Sequence, residues 1–148
     1  MPRIVLDFDP PRPDAPQVEG DSSDLVYFLS WAFSARYGGN HEMSVASLVL
    51  RGEFGIDLRP LLTFADREVE MDADAEMLDR AWQDPGPLAD CCDQVAKAFR
   101  SGEPRLAAVA EEYPRLVDQL VELGQIASWA AANGLRLRVT FSMQDGHD

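Results

Sequence analysis

Asp7 and Asp9 stand two residues apart, just beyond a short run of branched apolar residues. Side chains at i and i+2 of an extended chain point the same way, so this spacing puts two carboxylates side by side. His41-Glu42 follows Gly38-Gly39-Asn40 and offers an acid–base pair on a loop. Asp66, Glu68, Glu70, Asp72, Asp74 and Glu76 occupy every second position, a density of oxygen ligands that suits Ca²⁺ or Mg²⁺. Cys91 and Cys92 are adjacent thiols. Tyr27 and Trp31, one helical turn apart, form an aromatic strip with Ala35.

Asp7-Phe8-Asp9 after a hydrophobic strand resembles the first motif of the haloacid-dehalogenase-type phosphatases. The resemblance implies that Asp7 attacks phosphorus, that Asp9 moves a proton and that both help to hold Mg²⁺. It covers three residues only. Pro10-Pro11 stand where the family usually carries Thr or Val, and Lys97, the candidate for its lysine, falls on a helical pattern. No second acidic pair follows a later strand, and the alternating βα pattern of a doubly wound sheet is missing. Without that context, two acids solvating a strand end account for the motif.

The remaining groups are weighed in the same way. His41 has no nucleophile or second ligand at a recognised spacing, and His147, in the tail, is the only other histidine. Glu68, Glu70, Asp72 and Asp74 are the metal candidates of the acidic run. The EF-hand pattern fails there, because its glycine and terminal glutamate positions are Met77 and Gln83. A solvated strand face running into a helix cap explains these acids. Asp90 and Asp93 flank the cysteines and disfavour a thiolate, and two cysteines are too few for a metal cage. No cofactor is expected.

The charge sets the partner class. The chain has 148 residues with 26 acidic and 13 basic side chains, a formal net charge of -13. Such a surface opposes phosphate backbones and anionic membranes, so nucleic acid and membrane are excluded as expected partners. No apolar run approaches the ~20 residues that cross a bilayer. The N-terminus lacks a signal-peptide pattern, and adjacent cysteines rarely form a good disulfide, which together predict a cytoplasmic setting.

The elements that must position these groups read as follows. Arg3 to Phe8 is a strand, and residues 9–23, with four prolines, are an extended surface loop. Leu25 to Tyr37 is a helix, capped by Ser22, Ser23 or Asp24, with Leu25, Phe28, Leu29, Ala32 and Phe33 on one face. Residues 46–51 and 67–71 are read as strands, and Asp57 to Leu62 as a helix start. A helix from Asp72 is expected to bury Leu78, Ala81 and Trp82 and to break at Asp84-Pro85-Gly86-Pro87. The stripe Leu88, Cys91, Cys92, Val95, Ala96 and Phe99 predicts the clearest amphipathic helix. Pro104 and Pro114 open two more, the second stopping at Asn133-Gly134. Leu135 to Met143 alternates as a half-buried strand, and 144–148 is a loose tail.

The expectation is one α+β domain over residues 1–148, mostly helical, with a small sheet that contains the N- and C-terminal strands. The expected function is a small acidic protein-interaction module without catalytic activity: an adaptor, regulator or immunity-type inhibitor. It would bind a basic protein through Tyr27 and Trp31, and the first helix could also pair with a second copy. The alternatives are a Mg²⁺-dependent phosphohydrolase using Asp7 and Asp9, and a small-molecule-binding domain using Trp31, Tyr27 and His41.

Overall fold

Alternation of Ile4, Leu6 and Phe8 with polar neighbours makes β1 (Arg3–Asp9), and alternation of Leu135, Leu137 and Val139 makes β4 (Arg136–Ser142). The computed structural model describes residues 2–35 and 41–142. In it β1 and β4 pair antiparallel along their whole length, with Asp7 opposite Arg138 and Asp9 opposite Arg136. β4 is the central strand. Its second edge takes β2 (Phe64–Asp66) in parallel and β3 (Trp82–Gln83) antiparallel. The terminal strands thus form one small mixed sheet, as the sequence predicts.

The helices are α1 (Ser23–Ser34), α2 (Glu42–Gly52), α3 (Asp72–Arg80), α4 (Pro85–Phe99), α5 (Pro104–Glu112) and α6 (Leu116–Ala132). α4 and α6 make the main helix pair. Gly124 permits it: a Cβ there would lie 3.0 Å from the Cβ of Cys92. The Leu88–Phe99 stripe is buried throughout, and it joins α1, α2, α5, α6 and the inner face of β1 and β4 in one apolar cluster. The fold is therefore a single α+β domain. The expected helix end at Tyr37, the Gly38-Gly39-Asn40 loop, the tail 144–148 and His147 lie outside the described residues.

Several local expectations change. Residues 46–51 are helical, not extended. Met43, Ala46, Val49 and Leu50 are buried at helical spacing, and His41 Nδ1 accepts the Met43 N–H at 3.2 Å as an N-cap. Arg67 N–H still donates to Phe141 O of β4 at 3.1 Å, and the chain leaves the sheet from Glu68 on. The Asp66 carboxylate takes the Glu68 N–H, and the Asp74 carboxylate takes the N–H groups of Glu70 and Met71, which turns the chain into α3. Val69 and Met71 are exposed, so their alternation marks no buried face. Asp57–Leu62 makes a single turn, closed by Leu62 N–H on Leu58 O, since Asp57 binds the backbone and side chain of Arg59.

α3 buries none of its residues, and Trp82 belongs to β3 rather than to that helix. Asp84 to Pro87 is the cap and first turn of α4, with Asp84 accepting the Gly86 N–H. Phe33 is not on the buried face of α1; it packs edge-on against Phe64 at 5.7 Å. Thr140, at a polar position of the β4 alternation, is fully buried.

The proline-rich segment is an extended loop, but it is not a free surface loop. It runs along the outer edge of β1. The Gln17 amide accepts the Leu6 N–H and donates to the Leu6 carbonyl, both at 2.8 Å, and Ser22 Oγ accepts the Ile4 N–H at 2.7 Å. Val18 and Ser22 are buried. The segment is fastened to α6 as well, where Gln119 Nε2 donates to Asp21 O at 2.7 Å.

Candidate functional site

Asp7 and Asp9 both point from the polar face of the sheet, as their spacing requires, and both meet arginine. Asp7 Oδ2 accepts from Arg67 Nη1 at 2.8 Å and from Arg138 Nε at 3.0 Å, with Arg138 Nη2 at 2.9 Å. Asp9 Oδ2 pairs with Arg136 Nη2. Trp82 lies beneath both β4 arginines, its ring centre 4.4 Å from the Arg138 guanidinium carbon and 5.4 Å from that of Arg136. Such stacking is a cation–π contact and fixes the plane of each guanidinium. A carboxylate held by two guanidiniums is a poor nucleophile, since its charge is already engaged. β1 is also an outer strand, not the inner parallel strand that carries the phosphatase motif. Lys97 ion-pairs with Asp93 on α4 and makes no contact with Asp7 or Asp9 among the described residues.

His41 does not stand beside Asp7 or Asp9 in any contact. It stacks on Trp31, with ring centres 4.1 Å apart and planes 2° from parallel. Trp31 and Tyr27 are 40% and 43% exposed on the outer face of α1. His41 leads into Glu42, whose Oε1 accepts from the Tyr113 hydroxyl at 3.1 Å at the end of α5. Glu112 shares this place. Its carboxyl is held above the ordinary range, first by a hydrogen bond with the Glu42 carboxyl, then by desolvation and repulsion. The Tyr113 hydroxyl is pushed up to about 12 by desolvation, by its bond to Glu42 and by the charges of Glu112, Glu42 and Asp24. The Trp31–His41 stack and the Tyr113–Glu42 hydrogen bond thus link α1, the start of α2 and the end of α5.

Glu68, Glu70 and Asp72 are exposed, and Asp74 is spent as the start of α3. Among the described residues, no three His, Cys, Asp or Glu side chains converge in a cation-holding group.

Cys91 and Cys92 are free thiols inside the apolar cluster. Burial pushes the Cys91 thiol up to about 11 and Cys92 in the same direction. A folded pKa above the unfolded value makes the thiol's contribution to stability full below about pH 9 and lost as pH rises towards 11. The expected result is that a thiol reagent at about pH 8 labels neither cysteine until urea unfolds the chain. Replacing both by alanine should also flatten the alkaline fall in melting temperature. Labelling of the folded chain would show that the thiols are accessible.

Sequence reasoning named Asp7, Asp9, His41, Tyr27 and Trp31 but missed their neighbours. Arg67, Trp82, Arg136 and Arg138 complete the sheet-face network, and Glu112 and Tyr113 complete the aromatic face. One signal was present: Asp7-x-Asp9 and Arg136-x-Arg138 are mirror images across an antiparallel pair. No family model, no curated protein and no solved structure matches the chain. None of the described helices is long and apolar enough to cross a membrane.

Proposed function

We propose that the chain is a non-catalytic protein-binding module that docks a basic partner on the face formed by α1, the start of α2 and the end of α5. The observation that supports this reading most is exposed Trp31 stacked on His41, which leads into Glu42, a carboxylate that accepts from Tyr113 and holds the Glu112 carboxyl above its ordinary range. Two like charges held this close cost stability in the free chain, and an incoming Lys or Arg would relieve that cost. The indole adds a cation–π surface for the same side chain, and aromatic residues commonly anchor interfaces. The net charge of -13 would steer a basic partner towards it.

The sign of the Glu112 effect makes a test. Its folded pKa is raised above 4.5, so the repulsion is absent below that pH and grows as pH rises through the folded value. Glu112→Gln is expected to raise the melting temperature at pH 7, to leave it unchanged at low pH, and to weaken binding. A stabilising change that costs binding is the mark of a site held for function.

The partner experiment uses wild type, Trp31→Ala and Glu112→Lys as baits at low salt. A basic protein held by the wild type, and held roughly tenfold or more weakly by both variants, supports the reading. Added salt should slow its association. Equal recovery on all three baits, or recovery of no basic protein, overturns it.

A further inference from the structure

α3 lacks the support that holds most helices. Short helices are marginal in water and are ordinarily kept by an apolar face packed against a core. α3 buries none of its nine residues. It is fastened at its two ends instead. The Asp74 carboxylate takes the N–H groups of Glu70 and Met71 at its start, and Arg138 Nη1 donates to the Leu78 carbonyl, 3.2 Å away, in its last turn.

Its apolar side chains face water. Met71 is 71% exposed, Met77 55% and Val69 51%, and these are the three most exposed large apolar residues among those described. Ala73, one helical turn before Met77, is exposed as well. Apolar side chains scattered singly over a surface need no explanation, but a group of them marks a place of contact.

Carboxylates are interleaved with this group. Residues 68–79 carry six acids and no basic residue. Asp74 is used by the backbone, and Glu76 lies 4.0 Å from Arg80. Arg67, on the other flank, is engaged by Asp7. Glu68, Glu70, Asp72 and Asp79 therefore have no cation within ion-pair distance among the described residues.

The two observations together select the occupant. The apolar group alone would accept any apolar surface. The unpaired carboxylates beside it favour one that carries cations around its apolar side chains. A second copy docking α3 on α3 fails that requirement, because it would set the same carboxylates against each other. Methionine suits such a surface, since its unbranched thioether adapts to the shape it meets.

We infer that residues 68–79 form a second docking surface, which takes a cationic amphipathic helix: the helix lays its apolar side chains on Val69, Met71 and Met77, and its lysines or arginines meet Glu68, Glu70, Asp72 and Asp79. The surface shares no residue with the α1–α2–α5 face, and it stands whether or not that face binds protein.

The test uses the full chain with isotope-labelled methionine methyl groups, and a dye-labelled peptide of about fourteen residues with leucine and lysine placed at helical spacing. The Met71 and Met77 signals are identified by their loss in Met71→Leu and Met77→Leu. The peptide is expected to shift both signals saturably, and its anisotropy should give a Kd in the micromolar range that weakens with added salt. A scrambled peptide of the same composition has the same charge but no apolar face, and should bind at least about tenfold more weakly. Met71→Gln combined with Met77→Gln should weaken the first peptide about tenfold or more. Glu68→Gln, Glu70→Gln and Asp79→Asn combined should weaken it and flatten the salt dependence. All five side chains are exposed, and surface changes of this kind seldom disturb folding. Equal binding of the scrambled peptide, no shift at Met71 and Met77, or a response confined to the Trp31 indole would overturn the assignment. So would Met71 and Met77 signals that move with protein concentration in the absence of peptide, by showing that a second copy covers the surface.

Discussion

Phe28→Ala is expected to lower the unfolding free energy by about 3–5 kcal/mol, the range for removing a buried aromatic ring. Phe28 is 1% exposed and meets Phe99 of α4 edge to face at 5.7 Å. It is the largest side chain on the buried face of α1, with Leu25 and Leu29 beside it. Little can collapse into the space, because α4 and α6 are already packed closely against each other at Gly124. Urea unfolding should show the midpoint falling with an unchanged slope, and the melting temperature should fall by roughly 10 °C. A loss under about 1 kcal/mol would mean that the helix packs elsewhere. The comparison with Trp31→Ala is instructive, since both residues lie on one helix. Trp31→Ala should cost clearly less stability than Phe28→Ala, since Trp31 is 40% exposed and loses mainly its stack on His41, while weakening docking more.

The second large effect is expected at Asp7. Asp7→Ala leaves Arg138 and Arg67 without their shared acceptor on a partly buried surface. Breaking a buried pair from one side costs about 3–5 kcal/mol. The side chains of Asp7 and Arg138 are 23% and 20% exposed, and water can reach both, so about 2 kcal/mol is expected here. The double change Asp7→Ala with Arg138→Met should recover part of the loss, because it removes the orphaned charge along with its partner. A double-mutant cycle measured by urea unfolding reads this coupling directly. Additive effects would show that the ion pair contributes nothing to the fold.

The helices were legible where a residue period met a cap. The Leu88–Phe99 stripe and the Pro104 and Pro114 starts are all found within a few residues of where the pattern puts them. So are the two terminal strands, whose alternation matches one buried face. Residues 44–50 misled because Val, Leu and Ser suit either state over so short a run. The deciding contact is the His41 cap, and a histidine is an uncommon N-cap. Residues 67–71 alternate as a strand does, but Asp66 captures the backbone N–H of Glu68 and Asp74 those of Glu70 and Met71. That competition between side chain and backbone is invisible to periodicity. Trp82 was misplaced because a two-residue strand carries no pattern of its own.

Site legibility followed the same division. Asp7 and Asp9 stand out as a local motif, and Tyr27 and Trp31 as a local face. Their partners are remote in sequence: Arg138 lies on the last strand and Arg67 beyond β2. Glu112 and Tyr113 reach Glu42 only because α5 packs against α2. Composition revealed the charge of the chain but not its sorting, with carboxylates crowded at α1–α2–α5 and guanidiniums gathered on the sheet.

The amide of Gln17 has one more consequence. It satisfies both main-chain groups of Leu6 on the rim of the sheet, as a neighbouring strand would. Ser22 Oγ accepts the Ile4 N–H on the same rim. An open rim invites other molecules to add on, strand by strand, into polymers. The prolines of this loop have no N–H to offer such a stack, so the peptide that hides the rim cannot seed one itself. Part of the guard against strand-by-strand self-assembly is thus one glutamine and one serine, set in a stretch whose composition suggests idle linker.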